Sequence, residues 1–232
     1  MKRYLKSCIF SICLAVAALT DACHKMDETY VDFLEGGEIR YAKKADTIWA
    51  SPGKNRIKLS TVLAGTNFSK YKVYWNDRTD SMEVAIADKK RLDTLNVMIE
   101  SLMEGDYTFE LYTYDKEQHR SVVTDVAGLV YGDSYQSTLF NRIVVDFKLD
   151  DSGLSEVIWD EQIPRQAVGV ELIFKDKAQQ AYHLIRPIEE STTPISRTLL
   201  GDSLQYRTLF LPDTNAIDTF YADFQTLHLA TP

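Results

Sequence analysis

From Asp46 onward the chain reads as short runs in which apolar and polar positions alternate, separated by turn residues. Arg56-Ile57-Lys58-Leu59-Ser60 follows the turn signal Ser51-Pro52-Gly53-Lys54-Asn55. Tyr71-Lys72-Val73-Tyr74-Trp75 closes at Asn76-Asp77, and Ser81-Met82-Glu83-Val84-Ala85-Ile86 and Leu95-Asn96-Val97-Met98-Ile99 come next. Gly105-Asp106 then introduces a long run from Tyr107 to Tyr114, and Ser121-Val122-Val123-Thr124-Asp125-Val126 is expected as the last strand of the set. Successive strand residues point to opposite faces, so Tyr107, Phe109 and Leu111 share one face and Tyr112 and Tyr114 fall on the other. Short strands at this spacing predict a β-sandwich.

The same order recurs further along. Leu154-Ser155-Glu156-Val157-Ile158-Trp159 answers the strand near Leu59, and Gly169-Val170-Glu171-Leu172-Ile173-Phe174 answers the strand near Val73. Gly201-Asp202 introduces Leu204 to Leu211 as Gly105-Asp106 introduced its own strand, an offset close to the ~100 residues of one immunoglobulin-like sandwich. The expected fold is therefore all-β, with two tandem immunoglobulin-like sandwiches over residues 46–130 and 143–232. Residues 131–142 form the linker, in which Leu139, Phe140, Asn141 and Arg142 dock the second sandwich.

The N-terminus has a different character. Lys2, Arg3 and Lys6 precede an uncharged, mostly apolar run from Ser7 to Leu19, too short for the ~18–20 residues of a membrane-spanning helix and ended by Asp21. Residues 1–22 are expected to be a signal peptide and residues 23–45 a tether carrying at most one helical turn before Gly36-Gly37. Of three cysteines, Cys8 and Cys13 leave with the leader, so the mature chain forms no internal disulfide and its cores rest on buried apolar side chains. Cleavage before Cys23 shifts the net charge from -8 to -10, which argues against binding to nucleic acid and against attachment to anionic headgroups.

Ala18-Leu19-Thr20-Asp21-Ala22-Cys23 resembles a bacterial lipobox, with Cys23 as the lipidated residue and Asp27 and Glu28 similar to the surface-export signal of Bacteroidetes lipoproteins. Leu102 through Ser121 looks like the end of a fibronectin type III domain, although Thr61 stands where the usual early-strand tryptophan would be. Phe33-Leu34-Glu35-Gly36-Gly37-Glu38, Lys72-Val73-Tyr74-Trp75-Asn76, Tyr131-Gly132-Asp133 and Tyr206 to Asp213 resemble an uncharacterised Bacteroidetes lipoprotein family, domain-of-unknown-function family 4998. The resemblance implies an outer-membrane lipoprotein, held by its lipid at the cell surface or the periplasmic face, often beside glycan-acquisition machinery. It transfers no catalytic residues. Asp46-Thr47-Ile48, Asp80-Ser81-Met82, Asp93-Thr94-Leu95 and Asp202-Ser203-Leu204 also look like the O-glycosylation acceptor of exported Bacteroidetes proteins, with Thr47, Ser81, Thr94 and Ser203 as the modified residues.

Catalytic chemistry is hard to find. No nucleophile elbow, phosphate loop or His-Glu-x-x-His run is present. None of the four histidines sits three to five residues from a cysteine or from another histidine, and Asp150-Asp151-Ser152-Gly153 has the composition of a turn, so neither a metal site nor a cofactor is expected. A hydrolase would need two carboxylates in one cleft, with Asp150, Asp151, Asp160 and Glu161 as the material. Trp75 and Trp159 are expected in the cores or between domains. Trp49, Tyr112 and Tyr114 are the candidate ligand-binding aromatics, the last two as an exposed pair. The expected function is non-enzymatic binding of polysaccharide or an outer-membrane protein partner; the alternative is a structural spacer or assembly component.

Overall fold

Period-two runs with one apolar face can hide that face only by stacking on a second sheet. The computed structural model describes residues 40–86, 92–149, 154–175, 179–196 and 203–228. The expected leader, Cys23, Asp27, Glu28, the 150–153 turn and Gly201-Asp202 lie outside the described residues. Among the described residues no helix is long and apolar enough to cross a membrane.

The first set of strands is β1 (Thr47–Pro52), β2 (Arg56–Ala64), β3 (Lys70–Trp75), β4 (Asp80–Ala85), β5 (Leu92–Glu100), β6 (Gly105–Tyr114) and β7 (Thr124–Val130). They pair as a three-stranded sheet in the order β1-β2-β5 and a four-stranded sheet in the order β4-β3-β6-β7. Ile57, Leu59 and Leu63 from one sheet meet Tyr71, Val73, Phe109 and Leu111 from the other, all essentially inaccessible. Ala45, from the segment expected as tether, joins that core, and the Lys43 carbonyl accepts from Thr113 Oγ1 at 2.5 Å. Gly128 sits where β7 passes over β2; a Cβ there would lie 2.4 Å from Ile57 Cδ1.

The second set repeats the first. Its strands are β8 (Val144–Leu149), β9 (Leu154–Trp159), β10 (Ala167–Lys175), β11 (Ala181–Pro187), β12 (Thr192–Ser196), β13 (Ser203–Phe210), β14 (Phe220–Tyr221) and β15 (Gln225–His228). The orders are β12-β9-β8 and β11-β10-β13, with β14 and β15 both pairing with β13 in place of a single last strand. β9, β10 and β13 thus occupy the places of β2, β3 and β6, as the repeat in the sequence anticipates. Trp159 is buried on β9, the second strand of this sandwich, and donates from Nε1 to Thr193 Oγ1 at 2.9 Å. Pro194 is tolerated within β12 because that strand is an edge.

Several details depart from the sequence reading, and Ser51-Pro52, read there as part of a turn, ends β1. The strand expected over 121–126 begins at Thr124 and runs to Val130. The cause is Ser121, whose Oγ accepts the Thr113 N–H at 3.0 Å and so takes the place of a ladder carbonyl. Residues 131–142 also hold a short helix, α1 (Asp133–Ser137), whose first N–H groups are met from the first sandwich: Ser134 and Tyr135 both donate to the Glu104 carboxylate.

The two sandwiches lie within one compact unit, Ala42–Pro232. Tyr131, Tyr135 and Leu139 pack with Phe210, Phe220 and Ala222 in a small core of their own. Across the same waist Arg56 grips Asp218 with two hydrogen bonds, at 2.9 and 2.5 Å, and the Lys54 N–H adds a third at 2.8 Å. Hydrogen bonding and the opposite charge of Arg56 hold the Asp218 carboxyl below the usual carboxylate range, against the opposing effect of its burial.

Candidate functional site

The outer face of the β4-β3-β6-β7 sheet is where alternation places Tyr112 and Tyr114, and there they stand, opposite Phe109 and Leu111. They are not an exposed pair. Tyr112 retains 7% of its accessible surface, because long cationic side chains cover it. Arg78 and Arg120 lie 5.8 and 4.9 Å from its ring centroid, Tyr74 packs edge-on at 5.9 Å, and the Tyr112 hydroxyl accepts from Arg78 at 2.9 Å. Tyr114 is half-buried, with burial first and Tyr74 second raising its hydroxyl pKa. Alternation decides which face a side chain takes; what neighbouring strands lay over it is a tertiary matter. Trp49 is exposed as expected, on β1 in the other sheet, so the structure does not bring it together with the two tyrosines.

The sheet opens at one end. Pairing between β3 and β6 stops at Tyr74 opposite Glu110, whereas pairing between β6 and β7 continues to Gly105. One backbone edge of residues 105–109 therefore has no strand beside it among the described residues. In that gap lies a cleft of about 500 Å³, walled by Tyr74, Trp75 and Tyr107, with Asn76, Asp77 and Asp106 among its polar groups. Its volume falls within the ~300–1,000 Å³ of small-molecule and saccharide-sized sites.

The β3–β4 turn that closes the cleft is strained. Asn76, Asp77 and Arg78 have φ of 50, 52 and 65°, three successive left-handed residues without a glycine. The turn is held by the Thr79 N–H and Oγ1, both donating to the Asn76 carbonyl, by Asn76 Nδ2 on Asp80 at 2.7 Å, and by Arg78 Nε on Glu110 at 2.7 Å. Backbone strain of this kind gathers at functional sites, where the surrounding contacts over-determine it. Gly105, at φ +151°, starts β6 at the cleft in a conformation that suits glycine. The sequence contains the signals, aromatic residues next to Asn76-Asp77 and a Gly-Asp pair before an aromatic strand; it does not show that they meet.

Two other clusters were not visible in the sequence. Asp115, Glu117 and His119 place ligand-type atoms within 4.8 Å of one another in the β6–β7 loop. Their hydrogen bonds describe a loop staple: the His119 N–H donates to Asp115 Oδ1 at 2.8 Å, its Nδ1 lies 2.9 Å from Asp115 Oδ2, and Glu117 accepts from Asn67. On the outer face of the second sandwich, Arg207 is pressed between the rings of Tyr221 and Phe224, 4.0 and 4.4 Å from their centroids, and pairs with Glu171, which His183 also contacts at 2.6 Å.

Of the expected modification positions, Thr47, Ser81 and Thr94 are exposed and Ser203 is half-buried. Asp160 serves structure, its carbonyl accepting from Arg142 and its Oδ1 from the Gln162 N–H.

A family model described as DUF4998, a domain of unknown function, matches residues 23–220. Among solved structures, a two fibronectin type III domain segment from chicken tenascin is 13% identical, covering 82% of this chain and all of that one at a TM-score of 0.33. The FN1–FN3 domains of chicken CNTN1 are 11% identical, covering 81% of this chain and 64% of that one at a TM-score of 0.41. No curated protein matches the chain.

Proposed function

The chain belongs to the DUF4998 family, and from that premise we propose that it is a non-enzymatic cell-envelope lipoprotein that binds glycan through the cleft between β3 and β6. The observation that carries the binding role is the composition of that cleft. Aromatic side chains offer apolar faces to the C–H faces of sugar rings, and carboxylates, an amide and an open strand edge offer hydrogen-bond partners to hydroxyls, all on a rigid sheet. Anchoring rests on the sequence: the leader of residues 1–22, Cys23 as lipid acceptor, and Asp27 and Glu28 as an export signal to the surface of the outer membrane. Thr47, Ser81 and Thr94, exposed at or near strand starts, remain the proposed O-glycosylation positions, with Ser203 as the fourth.

The test is binding of the chain from His24 onward, which keeps the whole compact unit, to plant, host and microbial polysaccharides. A hit that Tyr74→Ala removes and Trp49→Ala leaves intact is the expected result; binding indifferent to Tyr74 would refute the cleft. Incorporation of labelled fatty acid in cells, expected for the natural chain and absent in Cys23→Ser, checks the anchor. A second reading, a rigid spacer or assembly component of an outer-membrane complex, is favoured by one observation, the packed waist of Arg56, Asp218 and the Tyr131–Phe220 core. A blank on every polysaccharide, with a protein captured instead, would favour it.

A further inference from the structure

Among the described residues Arg78 is the cation that lines the cleft and it is paired, whereas two of the lining carboxylates have no cation partner. Arg78 is paired with Glu110 at 2.7 Å and hydrogen-bonded to Tyr112. Lys72 lies over the Tyr74 ring at 4.8 Å, Lys70 pairs with Glu83 at 3.1 Å, and Arg120 covers Tyr112. Asp77 and Asp106 are exposed, and among the described residues no cation pairs with either. The third carboxylate, Glu110, is balanced by Arg78, so the lining residues sum to two negative charges, with the Lys72 ammonium over the Tyr74 ring setting one positive charge beside them.

Taking the glycan reading of this cleft as its basis, we infer that the site accepts uncharged saccharides and rejects those bearing carboxylate or sulfate, with Asp77 and Asp106 as the discriminating residues. Hydroxyl groups donate to carboxylates and gain charge-assisted hydrogen bonds, so a neutral sugar matches Asp77 and Asp106. The charged group of a uronate or sulfate ester brings no donor to those oxygens and meets their charge at close range, a repulsion that low salt leaves largely unscreened. Arg78 does not offset this, because leaving Glu110 and Tyr112 would strand a partner and release the strained turn it holds. Arg78 is a positioning residue: it maintains the shape of the cleft without serving as an anion receptor.

The experiment measures affinity of the chain from His24 onward for a matched pair, a neutral polysaccharide that it binds and a carboxylated form of the same backbone, at low and at high salt. The expected result is binding of the neutral form with the carboxylated form about tenfold weaker at low salt, the gap narrowing as salt screens the repulsion. Asp77→Asn/Asp106→Asn, checked for an unchanged melting temperature, is expected to close most of that gap. Equal affinity for both forms at low salt, or a gap the double variant leaves intact, overturns the discrimination while leaving glycan binding in place. Failure of every saccharide, neutral or charged, overturns the glycan reading itself.

Discussion

Arg142 gives its guanidinium wholly to backbone carbonyls: Asp160 accepts from Nε and from one terminal nitrogen, and Ile188 and Glu190 accept from the other. Burial lowers its pKa from the usual arginine value, with Asp160 partly opposing that shift. Arg142→Met would leave the buried Ile188 carbonyl and the half-buried Asp160 and Glu190 carbonyls without these donors, at about 1–3 kcal/mol for the buried one and less for the others. The expected net loss is about 2–4 kcal/mol, confined to the second sandwich and read as faster hydrogen exchange across β9 and β10 in urea. Tyr71 gives a pH test in the first core. Burial pushes its hydroxyl up to about 12, so its contribution is complete below pH 10 and fades as pH rises towards 12. A spectrophotometric titration should include an ionisation near pH 12 that belongs to Tyr71, together with the loss of about 2–3 kcal/mol of stability across that window. Tyr71→Phe is expected to remove both effects.

The element that invites perturbation is the β3–β4 turn. A glycine at its centre occupies positive φ without steric cost, so Asp77→Gly is expected to raise stability by up to about 1 kcal/mol while weakening saccharide binding. Thermal melting and a binding isotherm on the same preparation check the trade; a variant less stable than the parent would show that the turn is not strained. At β7 the sign reverses. Gly128→Ala sets a methyl 2.4 Å from Ile57 Cδ1 and 3.1 Å from the Ala50 Cβ, and overpacking of this kind costs about 1–3 kcal/mol. Strand identity was legible where one face is buried and the other wet, as in β2, β3, β6, β9, β10 and β13. It was not legible for β14 and β15, two- and four-residue pieces that exist only because β13 supplies a paired edge.

At the scale of the whole molecule the waist decides whether the sandwiches move together. Gly53 permits the contact, since a Cβ there would fall 2.5 Å from Asp218 Oδ2 and 2.8 Å from Ile217 Cγ1. Asp218→Ala removes the acceptor of Arg56 and of the Lys54 N–H, and is expected to broaden the distribution of inter-sandwich distances in X-ray scattering while leaving each sandwich folded. Because Arg56 depresses the Asp218 carboxyl, the contribution of this contact is present above about pH 4, the ordinary carboxylate range, and is lost only as pH falls below it. The waist should therefore stay closed across neutral and mildly acidic conditions; a scattering profile already broadened at pH 5 would contradict that.

The sequence by itself determined the all-β class, the doubling of one sandwich pattern and the face on which each aromatic of β6 lies. Those properties depend on local composition and on period-two alternation, which the chain carries without reference to anything distant. Only the tertiary structure decided that Arg78 and Arg120 would lie over Tyr112, that β3 would part from β6 beyond Tyr74, and that Asp218 would clamp Arg56 across 162 positions of sequence. Each depends on side chains brought together by sheet pairing or docking, and alternation along one strand cannot specify what the neighbouring strand will lay across it.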